Sequence, residues 1–347
     1  MNPRFYFSTF QIGAEKAVKA EVLREYPRLK FAFSRPGFIT FKQDDDRQPV
    51  LELKHGIFTR LWGEVVGQTK DANHFPTLVK QIPKQQIVHL FERDQYVPGD
   101  EPEGFHATAR IGAVAKALSP EFAGFKMNAT PKVGEVVYDV IWVDDFHVFV
   151  GRHHHTESLA PEPGNFPKIE LLKESPARSY LKIEEAIYRF KPKIEKGMNV
   201  LEVGCSPGGA TTAMINRGLL VTGVDPKYMA ESVYQLPGFK FIQKTARETT
   251  LAELKSMNPD WIVMDMNIAP LEALDELYHV IGLLRKNFGK TLKLKQGFLT
   301  IKLNDWKFAE SIPLYLKRLE EMGFRDLHPT QLCSNRQEFF VAASFKA

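Results

Sequence analysis

The chain has 347 residues, 44% of them hydrophobic and 25% charged, an ordinary globular composition with length for two or three domains. Two cysteines, Cys205 and Cys333, allow neither a disulfide framework nor a multi-cysteine zinc site. No apolar run approaches the ~18 residues of a membrane span, and the start MNPRFYFSTFQIG shows no basic-then-apolar leader, so a cytoplasmic protein without a membrane or metal partner is expected.

The net charge of +4 is unevenly spread: residues 166–347 carry 26 Lys+Arg against 21 Asp+Glu, and residues 1–165 carry 20 against 21. An anionic partner is therefore expected on the C-terminal half. From the start, RFYFSTF alternates like a strand, AEKAVKAEVLREY carries a helical apolar stripe and GFITFK is strand-like again. Further on, KVGEVVYDVIWVDDFHVFVG predicts two strands joined by an Asp-Asp turn. These features predict an α+β domain over 1–155 without a catalytic constellation. The segment RHHHTESLAPEPGNFPKIE has three prolines and no apolar period, and 156–170 reads as a linker. His153, His154 and His155 would alternate between faces in a strand, so they converge poorly on one ion.

From 171 to 347 the rhythm becomes α/β. MNVLEVG, LLVTGVD, FKFIQK, DWIVMDM and GFLTIKL predict five strands separated by helices, one of them over 270–288. FRDLHPTQL and EFFVAASF close the chain as an antiparallel pair. Strands alternating with helices imply a mostly parallel, doubly covered sheet whose last strand runs backwards.

The first of these strands runs into CSPGGAT and a helix, the turn beyond which such sheets bind ligands. Gly204, Gly208 and Gly209 let the backbone approach a ligand closely. Asp225 ends the next strand, about 20 residues on, where a carboxylate takes ribose hydroxyls. A dinucleotide fingerprint would place glycine where Ser206 stands, and Pro207 stiffens the turn. The loop, with Cys205 as a small packing residue, thus predicts a nucleoside cofactor lacking a pyrophosphate.

Four charged residues share the carboxyl edge of this sheet. Lys182 lies on the helix ARSYLKIEEAIYRF, Asp265 ends the fourth strand, Lys302 ends the fifth and Glu338 begins the antiparallel last strand. A hydroxyl is a poor nucleophile until its proton is shared. A lysine can accept that proton if a second lysine lowers its pKa by like-charge repulsion, with carboxylates holding both amines. Lys302 is the expected base or final proton acceptor; Lys182, Asp265 and Glu338 orient and tune it.

The stretches VGCSPGG, ARSYLKIEE, MDM, TIKL and SNRQEFFVA resemble the FtsJ-type RNA 2′-O-methyltransferases, whose hallmark is a Lys-Asp-Lys-Glu tetrad. Within that family the resemblance is strongest to the RlmM-type branch. That branch methylates a cytidine of 23S rRNA and carries an N-terminal THUMP-like RNA-binding domain. The opening QIGAEKAVKAEV and FSRPGFITF are similar to that domain. The resemblance implies a class I Rossmann-like methyltransferase sheet behind the THUMP-like domain, with S-adenosyl-L-methionine as cofactor and RNA as partner. It implies no protein partner, and cofactor contacts from Ser179, the CSPGG loop, Asp225 and Asp265. Thr245 stands where the family has an acid that holds the adenine amino group, and Ala177 stands where serine is usual.

A base methyltransferase would show an Asn/Asp-Pro-Pro-aromatic run after the fourth strand, where this chain has Asp265, Met266, Asn267 and Ile268. A cytosine C5 enzyme would need a nucleophilic cysteine there. A non-catalytic RNA binder with a relic domain would have no need of the tetrad. Lys290, Lys293, Lys295 and Arg336 are candidate phosphate contacts, and Tyr180 and Trp306 candidate stacking residues.

Overall fold

A computed structural model describes residues 3–44, 49–54, 56–100, 120–145 and 147–346. The chain divides into two compact units, Met1–Lys168 and Ile169–Ala347.

In the first unit the described strands are β1 (Arg4–Phe10), β2 (Lys30–Arg35), β3 (Phe38–Gln43), β4 (Thr59–Thr69), β5 (Ile87–Glu92), β6 (Lys126–Met127), β7 (Val136–Asp144) and β8 (His147–His154). They form one sheet in the order β2-β3-β1-β4-β8-β7-β5-β6, antiparallel except where β5 meets β6 and β7. Helix α1 (Glu15–Glu25) buries Ala17, Val18 and Val22. Its Glu21 also turns inward and accepts the amides of Ile57 and Phe58, at 2.6 and 3.0 Å. A short helix α2 (Phe75–Val79) covers Val88, Leu90, Val140 and Val150. The unit is α+β, as the alternating apolar pattern implies.

The proline-rich segment departs from the expected linker, because its residues up to Lys168 belong to the first unit. Asn165 is buried; it accepts the Ala160 amide at 2.6 Å and donates to the Arg60 carbonyl at 2.6 Å. The Arg60 guanidinium lies 4.0 Å above the Phe166 ring. Prolines without periodicity mark irregular backbone, and irregular backbone can still be packed when its polar groups find partners. His153 and His155 are buried while His154 is exposed, as alternation along a strand demands. His153 Nδ1 is 2.6 Å from the Asp139 carboxylate. Among the described residues no cluster of His, Cys, Asp and Glu could hold a metal ion.

The second unit places helix α3 (Ser179–Phe190) ahead of its sheet. Strands β9 (Asn199–Val203), β10 (Leu220–Val224), β11 (Phe239–Ile242), β12 (Trp261–Asp265), β13 (Gln296–Lys302), β14 (Phe324–Thr330) and β15 (Glu338–Phe345) follow in the spatial order β11-β10-β9-β12-β13-β15-β14. All pairs are parallel except those of β15 with β13 and β14. Between the strands lie α4 (Gly209–Asn216), the one-turn helices α5 (Glu231–Tyr234) and α6 (Leu251–Leu254), α7 (Pro270–Phe288) and α8 (Ile312–Glu321). Central strands such as WIVMD and QGFLTIK are buried along all but their ends, with apolar residues filling most positions, because both faces are covered. Proline opens α7 at its first turn, where no amide donor is required, and Gly289 ends it at φ +48°. The core joins Ile183 and Ala186 of α3 to Val200, Val263, Phe298 and Phe340 of the sheet. This is the expected Rossmann-like sheet. The strand order reverses between β9 and its neighbours β10 and β12, the point at which such sheets bind ligands beyond their carboxyl ends.

Candidate active site

The glycine-rich loop, between β9 and α4, lies at that point. Gly204 has φ +83°, and a Cβ there would sit 2.6 Å from the Asp265 carbonyl oxygen. A Cβ on Gly209 would lie 2.4 Å from the Ala177 carbonyl and 2.6 Å from Ser179 Oγ. These two glycines let the loop sit against the end of β12 and against the residues that open α3. The Ser206–Pro207 peptide is cis.

Asp225 lies just past the end of β10, buried, and clamps the loop. Its Oδ2 accepts the Ser206 amide at 3.0 Å and its Oδ1 accepts the Lys227 amide at 2.8 Å. Each oxygen keeps a lone pair for a further donor. Ser206 Oγ donates to the Tyr228 carbonyl at 2.8 Å, and Ser179 Oγ accepts the Ala210 amide at 3.2 Å at the start of α4. Cys205 packs its thiol 3.5 Å from Met229 Sδ. Burial pushes that thiol well above the ordinary range, helped by the charges of Glu202 and Asp225, so it stays protonated. A nucleoside with a vicinal diol and no pyrophosphate fits this cradle: it has a close-approach backbone, a carboxylate at the neighbouring strand end and no further glycine to make room for phosphates.

Thr245 sits in a local turn: its hydroxyl donates to Glu248 Oε2 at 2.8 Å and accepts the Glu248 amide at 3.3 Å, which leaves one lone pair for a further donor.

Beside the loop, the four charged residues converge. Lys182 Nζ lies 2.8 Å from Asp265 Oδ2 and 2.6 Å from Glu338 Oε1. Lys302 Nζ lies 2.8 Å from Asp265 Oδ1 and also contacts Glu338 Oε2. Two amines and two carboxylates thus alternate in a closed ring. The fold makes this unavoidable: β13 and β15 are antiparallel, and their register sets Lys302 opposite Glu338. Asp265 comes from the adjacent parallel strand and Lys182 from the helix across the strand ends. All four side chains are at least four-fifths buried.

The ring reverses the expected electrostatics of Lys302. Burial pulls its amine down, but the facing carboxylates of Asp265 and Glu338 outweigh that and hold it above the usual lysine range. Burial likewise raises Asp265, yet Lys182 and Lys302 bring it below the usual carboxylate range. Like-charge repulsion between the amines does not dominate, because each amine has two anions closer than it has another cation.

Lys293 and Lys295 precede β13, whose seven residues separate its amino end from Lys302, about 20 Å at strand spacing. They and Lys290 sit at the edge of the sheet away from the ring. Tyr180 packs against the hydrophobic core. Residues not foreseen hold the ring from behind. Glu185 of α3 accepts the Cys333 amide at 2.9 Å and pairs with Arg189 at 2.8 Å. Buried Asn335 donates to Glu338 Oε1 at 2.8 Å. The signal was present, since Glu185 stands one helical turn after Lys182 and Asn335 three residues before Glu338, but neither spacing singles out a partner.

Residues 176–345 match the model of the family described as FtsJ-like methyltransferase. The chain is similar to ribosomal RNA large subunit methyltransferase M of Dickeya chrysanthemi, 27% identical over 366 residues that cover 95% of this chain and 93% of that one. The protein of the same name from Shewanella putrefaciens is 25% identical over 287 residues, 68% of this chain and 76% of its own. That of Idiomarina loihiensis is 32% identical over 146 residues, 40% of this chain and 38% of its own.

Proposed function

We propose that this chain, whose residues 176–345 form an FtsJ-like methyltransferase domain using S-adenosylmethionine, methylates a ribose 2′-hydroxyl of RNA, a cytidine of 23S rRNA being the substrate. The observation that carries the reading is the ring of Lys182, Asp265, Lys302 and Glu338 beside the glycine-rich loop. The similarity to ribosomal RNA large subunit methyltransferases supports ribosomal RNA as the polymer. In this reading the first unit is a THUMP-like module that holds RNA.

The cofactor would be held by the backbone of Gly204, Cys205, Ser206, Pro207, Gly208 and Gly209, with Asp225 taking the ribose hydroxyls and Ser179 and Asp265 closing the site. When bound, it supplies an electrophilic methyl group on a positively charged sulfur. The chain's own residues align the attacking oxygen, which is where most of the catalysis of a simple displacement arises. Lys182 and Lys302 donate hydrogen bonds to that oxygen, and Asp265 and Glu338 keep the amines from swinging away. As the new carbon–oxygen bond forms, the hydroxyl proton becomes strongly acidic and passes to Lys302. Lys302 can take it only after releasing its own proton to solvent water. Displacement of one carboxylate contact by the incoming hydroxyl lowers the amine toward that point.

The test is methyl transfer to RNA with mapping of 2′-O-methyl marks. Wild type is expected to mark a ribose. Lys302→Ala is expected to lose transfer while still binding S-adenosylhomocysteine. A non-catalytic RNA binder would transfer nothing in either form, and a mark on a base would replace the ribose assignment.

A further inference from the structure

The ring works only if Glu338 offers one oxygen to each lysine, and nothing in an ion pair enforces that split. A carboxylate turns freely about its last bond, and both amines would accept either oxygen. The loop between β14 and β15 supplies the missing constraint. Asn335 is fully buried. Its Oδ1 accepts the Leu332 amide at 2.8 Å, and its own amide donates back to the Leu332 carbonyl at 3.0 Å. That reciprocal pair leaves the side-chain NH2 aimed at Glu338 Oε1, 2.8 Å away. The same oxygen receives Lys182, so Oε2 is left for Lys302. The loop is fastened in turn to α3, where Glu185 grips the Cys333 amide. The helix that carries Lys182 therefore also anchors the turn that orients its partner.

We propose that Asn335 is a positioning residue for the transfer, fixing the Glu338 carboxylate so that its two oxygens are divided between Lys182 and Lys302. The proposal rests on the ribose-methylation reading. Asn335 touches neither substrate nor cofactor; it acts through Glu338.

Asn335→Asp separates this role from loop architecture. The substituted carboxylate still accepts the Leu332 amide but has no NH2 to donate. When ionised it repels Glu338; when protonated it can donate to Glu338 and restore the contact. The charged groups around it are the four of the ring, with Glu185 and Arg189 behind the loop and Arg336 next to it in sequence. None of these changes between the two proteins. The rate constant of Asn335→Asp relative to wild type is expected to fall at least ~10-fold between pH 6 and pH 9, while KM for RNA stays within about twofold, one buried proton being able to shift a rate by that factor per unit. A loss that is constant across pH, or no loss, overturns the proposal. Asn335→Ser covers the case in which the aspartate variant does not fold: a drop in kcat at unchanged KM is expected, and a KM effect alone overturns it. A second readout needs no activity. The Nζ signals of Lys182 and Lys302 in NMR spectra of the ¹⁵N-lysine-labelled full chain should both shift in the variant, and unmoved signals also overturn the proposal. If wild type methylates no ribose, the functional reading fails, and these signals still decide whether Asn335 sets the ring.

Discussion

Glu202, directly beneath the cofactor loop on β9, should make the C-terminal unit lose stability as pH rises. Its side chain is buried and accepts the Thr211 Oγ1 hydroxyl at 2.6 Å. Burial pushes its carboxyl up to about 8, the Thr211 hydrogen bond acting against this and the charges of Asp265 and Asp225 adding to it. In the unfolded chain the same group titrates near its ordinary 4.5. Between these values the folded state holds a proton that the unfolded state has released. Stability therefore falls as pH rises through the window and is flat above it. The slope from this group is about 1.4 kcal/mol per pH unit, about 4 kcal/mol between pH 5 and 8. Glu202→Gln is permanently neutral and nearly isosteric. It should cost about 1 kcal/mol at pH 5, where its extra donor finds no acceptor, and become stabilising by pH 7. Amide hydrogen exchange of β9 and β12 in the full chain reads the local free energy of that unit. A difference between the two proteins that stays constant from pH 5 to 8 would show that Glu202 is ionised in the fold and refute the reasoning.

Lys182→Met leaves two buried carboxylates facing one amine, and a loss of about 3–5 kcal/mol is expected in urea unfolding, together with loss of transfer. In the first unit two opposed terms meet. His89 and His155 are held neutral by burial, so stability is lost as pH falls through 6.5, where the unfolded histidines take up protons. Burial pushes Glu21 up to about 7, so its folded form takes up a proton and gains stability over the same range. Glu21→Gln should therefore lose more stability than wild type between pH 7 and 5 in urea titrations. Gly209→Ala would drive a methyl against the Ala177 carbonyl, and calorimetry should show S-adenosylhomocysteine binding weakened by at least ~10-fold, as a misplaced close-approach backbone implies. Binding of RNA should weaken steeply between 50 and 200 mM salt, because phosphate contacts release counterions; a salt-independent affinity in filter binding would argue against RNA as the substrate.

Much of the fold was legible in the residues themselves. Apolar runs such as WIVMD and GFLTIK, the glycines of CSPGG and the helix 270–288 bounded by proline and glycine are local signals, since backbone hydrogen bonding and sterics act over a few residues. The parallel rhythm and the backward last strand then place Lys182, Asp265, Lys302 and Glu338 on one edge. What the edge does to them was decided only in three dimensions. Lys302 was expected to be lowered by Lys182, yet it is raised by Asp265 and Glu338, residues 37 and 36 positions away in sequence that the sheet register brings into contact. The same holds for the packed segment around Asn165. Residue type and spacing determine which charges can reach a site. The ionisation and orientation of each charge depend on distances of a few ångströms to partners far along the chain, and only the tertiary structure sets those distances.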